Sequence, residues 1–118
     1  MAPESSPASE DKPNPIVVEA RKAILKDRLR ENLEDYEICI ADYENQGTLD
    51  FVKEDNEWTL QFHRLVMREY AREVRNRGGS AHTYVIRLQD YLSWLRSHGY
   101  KNSEAARKQY VRFLHDSR

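Results

Sequence analysis

Arg64, Arg68, Arg72 and Arg75 are separated by four, four and three residues. At 100° per residue this spacing gathers their side chains within an arc of about 80° on one helix face. Arg77 extends the basic end of that face, just before the Gly78-Gly79 pair. Guanidinium forks match phosphate oxygens and stay charged, so such a stripe points to a phosphate-bearing partner. A second basic set comprises Arg87, Lys101, Arg107, Lys108 and Arg112, with Lys108 and Arg112 one helical turn apart. Between the two sets lies Ser80-Ala81-His82-Thr83. At a helix start its hydroxyls and free backbone N–H groups form an anion site. The plainer reading of the same residues is a solvated arginine face set against the acidic first half, with Ser80 and Thr83 as ordinary caps.

Other chemistries find less support. Cys39 is the sole cysteine, and it lies on or beside an apolar stripe, where a small buried thiol is the ordinary explanation. His63, His82, His98 and His115 are scattered, with no His-x-x-x-His or Glu-x-x-His pair of the kind that builds metal sites. The glycine pair is followed by Ser-Ala-His, which is not a phosphate loop. The expectation is therefore a chain without enzymatic activity, cofactor or metal.

The elements that must position the basic residues are read from proline, glycine and periodicity. All four prolines lie within the first 15 residues, and glycines occur only at 47, 78, 79 and 99. Residues 1–15 read as a disordered tail and the body as helices broken at those glycines. Leu25, Leu29, Leu33, Tyr36, Ile40 and Tyr43 recur with a mean spacing matching the roughly 3.6-residue helical period, which predicts a long acidic helix over 16–46. A second helix carries Trp58, Phe62, Leu65, Val66, Tyr70 and Val74 and ends at Gly78, with Thr48, Asp50 and Asp55 as candidate caps. Ser80 is expected to open a third, ending at His98-Gly99, and Asn102 or Ser103 to cap a fourth. No segment alternates long enough to predict a strand. The fold class expected is all-α, a small bundle of four to five helices, with 16–118 as one domain and 49–114 as its basic unit.

Composition sets the outer limits. The chain has 118 residues, one domain's worth, and a formal charge of −1. That charge conceals an asymmetry. Residues 1–60 carry 7 basic and 15 acidic side chains, and residues 61–118 carry 12 and 5, so the halves stand at −8 and +7. Such a split invites an anionic partner for the second half, or attraction between the halves themselves. The longest aliphatic runs are three residues, which excludes a membrane span by sequence, and the polar N-terminus does not resemble a secretory signal. One unpaired cysteine suits a reducing, cytoplasmic setting.

Residues 65–102, LVMREYAREVRNRGGSAHTYVIRLQDYLSWLRSHGYKN, carry Ser80 and Thr83 after a basic glycine turn, then Leu88, Tyr91, Leu92, Trp94 and Leu95 before Gly99. This pattern resembles the N-terminal core-binding, SAM-like domain of tyrosine recombinases, the phage-integrase and Xer-like family, and residues 110–118 resemble its closing helix. The resemblance implies a helical domain clamping one side of duplex DNA, active in DNA recombination and integration. Ser80, His82, Thr83 and Arg87 would meet backbone phosphates, while Arg107, Lys108 and Arg112 would approach the groove. It also implies a catalytic domain supplied elsewhere in a longer protein, since the family's catalytic residues have no counterpart in this chain. The alternative expectation is a protein-interaction module that docks or self-associates through the acidic first helix.

Overall fold

The structure is a computed structural model that describes residues 14–118. The expected tail lies outside the described residues except for its last two positions, where Asn14 caps and Pro15 begins the first helix. Helix α1 spans Pro15–Lys26, strand β1 Glu37–Tyr43, helix α2 Gln46–Val52, helix α3 Leu60–Asn76, strand β2 Ser80–Ile86, helix α4 Leu88–His98 and helix α5 Glu104–Asp116. The strands pair in parallel, Glu37 with Ser80 through to Tyr43 with Ile86. The described residues are therefore mixed α/β, and the all-α expectation is wrong.

The predicted 16–46 helix fails first. Asp27 ends α1, and Arg28 (φ 54°) and Asp35 (φ 70°) adopt the left-handed conformation that interrupts a helix. Between them Asn32 Oδ1 accepts from the Glu34 N–H at 3.0 Å, and the Leu33 N–H donates to the Arg77 carbonyl at 2.7 Å. The chain then extends as Glu-Ile-Cys-Ile-Ala-Asp-Tyr, whose side chains alternate between the two faces of the sheet. Parallel strands covered on both faces read as mixed apolar runs with little polar alternation, so period alone does not separate them from a helix.

The predicted second helix is two helices. Asn45 caps α2, its Oδ1 accepting from the Thr48 N–H at 2.8 Å, and Thr59 caps α3, its Oγ1 accepting from the Phe62 N–H at 3.0 Å. Thr48 itself is a buried residue inside α2. Ser80 opens a strand, and α4 starts only at Leu88. The C-terminal punctuation is as expected. Gly99 closes α4 at φ +68°, and Ser103 caps α5, accepting from the Ala106 N–H at 3.0 Å.

The sheet separates two apolar clusters. Ala20 and Ile24 of α1 meet Val66, Tyr70 and Val74 of α3 and Leu33 on one side, with Ile38 and Ala81 from the strands. On the other, Tyr43 and Ile86 meet Tyr91 and Leu95 of α4 and Tyr110 and Val111 of α5, with Leu49 and Val52 of α2. Thus α1 and α3 cover one face, α4 and α5 the other. Among the described residues each strand has one neighbour, so β1 and β2 both keep an edge that no other described strand pairs with.

Candidate binding groove

Most of the α3 arginine stripe is engaged within the chain. Arg64 donates to Asp42 at 2.9 Å and to the Tyr43 carbonyl at 3.0 Å, and Arg72 pairs with Glu69. Arg75 reaches the Ala81 carbonyl at 3.3 Å. Arg77 bonds Glu73 at 3.3 Å and the Arg30 carbonyl at 3.1 Å, tying the 27–36 turn to the end of α3. Arg68 has no side-chain partner among the described residues. With Arg64, Arg75 and Thr83 it lines a cleft of about 310 Å³ between α3 and the sheet.

Ser80, His82 and Thr83 lie on β2, so the expected anion site at a helix start does not form. The Ser80 N–H is taken by the Tyr36 carbonyl at 2.9 Å. Arg87 occupies the position before α4, and Lys101 the turn between α4 and α5. Neither joins the other basic residues.

Arg107, Lys108 and Arg112 do come together. They form one wall of an open groove of about 620 Å³ that runs along the free edge of β1. Lys26 at the end of α1, Arg28 in the turn beyond it and Lys53 at the end of α2 join them. Six cations thus face three carboxylates, Asp27, Glu37 and Glu104. Two ion pairs cross the mouth from α1 to α5, Lys26 with Glu104 at 3.0 Å and Lys108 with Asp27 at 3.4 Å. Lys26 and Lys108 are well exposed, so these pairs hold weakly. Arg107 also donates to the Val52 carbonyl at 3.1 Å.

Electrostatics in the groove reflect crowding of like charge. Burial lowers the Lys53 ammonium below the usual lysine range, and Arg107 and Lys26 push it the same way, against Glu104. Glu104 is held below the usual carboxylate range, first by its hydrogen bond from Lys26. Cys39 lines the groove half-buried; burial raises its thiol, which is the opposite of nucleophile activation. Lys26, Arg28 and Lys53 escaped sequence reasoning because they lie in the net-acidic half and reach Arg107 only through tertiary folding.

The histidines are less scattered in space than in sequence. His82 Nε2 and His115 Nε2 each stand 3.2 Å from Glu37 Oε2, and His115 Nδ1 is 2.7 Å from the Tyr84 hydroxyl. His98 Nδ1 lies 2.9 Å from the Trp94 carbonyl near the end of α4. His63 is buried, its Nε2 2.9 Å from the Ala41 carbonyl. Among the described residues no three His, Cys, Asp or Glu side chains are arranged to hold a metal ion, and no helix is long and apolar enough to cross a membrane. No protein-family model, curated protein or solved structure matches the chain.

Proposed function

We propose that this chain is a non-catalytic binding module that holds an extended anionic chain in the groove along the free edge of β1. The observation that carries this reading is the convergence of Lys26, Arg28, Lys53, Arg107, Lys108 and Arg112, from three separate stretches of sequence, on a groove with half as many carboxylates. Cations brought this close cost free energy unless an anion answers them, and multiple charge-assisted hydrogen bonds are the natural reward.

Duplex DNA is the second reading, favoured by Arg107, Lys108 and Arg112 sharing one wall of α5 as a phosphate-gripping face needs. In that reading the module belongs to a recombinase whose catalytic domain is supplied separately. An anion site at a helix start is not part of it, since Ser80, His82 and Thr83 sit on β2.

Titration of the isotope-labelled full chain with poly-L-glutamate and with a mixed-sequence duplex tests both. Binding at about 50 mM salt that weakens markedly at about 200 mM, with shifts at Lys53, Arg107 and Arg112, is the expected result. Arg112→Glu should weaken it about tenfold, in line with loss of an attraction and gain of a repulsion. Failure of both polyanions to bind at the lower salt, or shifts confined to surfaces away from the groove, would overturn the reading.

A further inference from the structure

The floor of the groove is a strand edge with unused backbone groups. The Ser80 N–H donates to the Tyr36 carbonyl at 2.9 Å and the Glu44 N–H to the Ile86 carbonyl at 3.2 Å. In the observed parallel register these bonds turn the backbone groups of the even-numbered residues of β1 toward β2 and those of Glu37, Cys39, Ala41 and Tyr43 outward. At the far end the outward carbonyls are satisfied, Ala41 by His63 and Tyr43 by Arg64. The amides of Cys39 and Ala41 and the carbonyls of Glu37 and Cys39 have no hydrogen-bond partner among the described residues.

The half of the edge nearer Glu37 is not capped by α3, as the carbonyls of Ala41 and Tyr43 are. The strand contains no proline, and its register with β2 runs through seven consecutive pairs without a bulge. The groove instead offers the space beside it, bounded by α1 and α3 on one side and α5 on the other. A strand lies about 4.8 Å from its neighbour and sends alternate side chains to opposite faces. A strand added here would send one set of side chains toward Lys26 and Arg28 and the other toward Lys108 and Arg112.

We propose that an acidic, extended segment of a partner protein adds to β1 as a third strand in this groove. The proposal rests on the reading that the groove holds an anionic chain, and it names that chain. Both parts of the surface argue for a peptide. Its backbone offers donors and acceptors in the alternation that the open edge presents, and its carboxylates answer the six cations. A phosphodiester strand answers the cations alone. It sets phosphate oxygens, which only accept, against the Glu37 and Cys39 carbonyls, which also only accept. The exposed pairs Lys26–Glu104 and Lys108–Asp27 exchange partners as the ligand's carboxylates enter.

The probe is a fluorescein-labelled peptide of alternating glutamate and valine, slightly longer than β1. Two controls carry the same sequence with N-methyl groups on alternate residues, one in each phase, so that charge is constant and one edge at a time loses its donors. The full chain at about 50 mM salt is expected to bind the parent peptide, with amide exchange at Cys39 and Ala41 slowed. One methylated phase should bind at least about tenfold more weakly, because several backbone hydrogen bonds are lost together. Equal binding of all three peptides with unchanged exchange at Cys39 and Ala41 overturns the strand-addition proposal while leaving the anionic groove intact. Tighter binding of a single-stranded or duplex oligonucleotide of equal charge, with its shifts in the groove, also overturns it. So does a concentration-dependent dimer of the free chain that itself protects the two amides. Absence of binding by peptide and oligonucleotide alike would overturn the groove reading as well.

Discussion

His63→Phe isolates one buried nitrogen and the pH range in which it matters. His63 is 4% exposed, and its Nε2 lies 2.9 Å from the Ala41 carbonyl. A carbonyl only accepts, so Nε2 carries the proton and Nδ1 is the bare nitrogen. Nδ1 is buried without a hydrogen-bond partner. Protonating it would create a buried cation with an unanswered N–H, and burial accordingly lowers the His63 pKa, outweighing the opposing hydrogen bond to Ala41. The unfolded chain takes up that proton near pH 6.5 and the native chain only at lower pH. Native stability linked to His63 is thus fully present above about pH 6.5 and lost as pH falls through the depressed native pKa.

If the native ring stays neutral, the loss at pH 5.5 relative to pH 8 approaches RT ln 11, about 1.4 kcal/mol. Phenylalanine keeps a ring facing Tyr43, whose centroid is 5.2 Å away, and removes the titration. It also removes one neutral hydrogen bond, at a cost of about 1 kcal/mol. Urea unfolding followed by tryptophan fluorescence should find His63→Phe less stable than the wild type at pH 8 and level with it or more stable at pH 5.5. A stability gap that stays constant between the two pH values would refute the reasoning, because it would mean that the native ring accepts the proton freely.

Three further outcomes test the packing that holds the groove. A Cβ at Gly79 would stand 3.0 Å from Val74 Cγ1 and 3.1 Å from Leu33 Cβ, so Gly79→Ala should cost about 1–3 kcal/mol, read as a lower urea midpoint with unchanged slope. Ser103→Ala removes the cap of α5 and should cost about 1 kcal/mol in the same assay. Tyr70→Phe removes a 2.9 Å bond to the Asp27 carboxylate, worth about 1.5 kcal/mol at this partly exposed acceptor. Burial, with help from Asp27, holds the Tyr70 phenol above its usual range. Its stabilising contribution is complete below about pH 10 and is lost progressively as pH rises from there towards the raised native pKa, so Tyr70→Phe should flatten the alkaline loss of stability measured by thermal melting.

What was legible in the sequence, and what was not, follows from the range of the interactions involved. Helix ends written in local chemistry were readable, as with Gly78 after α3, Gly99 after α4 and Ser103 before α5. The apolar spacing from Leu25 to Tyr43 misled because its members belong to different structures. Leu25 ends its helix 77% exposed, Leu33 is buried in a turn, and Ile40 and Tyr43 lie on opposite faces of β1. Similarly, Arg64 and Arg72 share a helix face as the period requires, but Asp42 and Glu69 occupy them. Only half of the groove's cations, Arg107, Lys108 and Arg112, stood out as a set. The charge split between halves is partly spent internally, since Asp42–Arg64 and Asp27–Lys108 both join the acidic half to the basic one.

The parallel pairing of β1 and β2 also governs how the molecule reaches its folded form. Every residue of β1 meets a partner 43 positions further along, Glu37 with Ser80 and Tyr43 with Ile86. Closing a loop of that length costs on the order of 3 kcal/mol of chain entropy before any ladder bond forms. No hairpin can nucleate this sheet, because α2 and α3 must first carry the chain across and back. Such non-local pairing places its folding among slower small domains, in milliseconds or longer, and makes the β1 edge a late product of the reaction. Chains that have formed only their helices lack the groove altogether, so a ligand of that edge selects completed molecules and raises the unfolding midpoint by mass action.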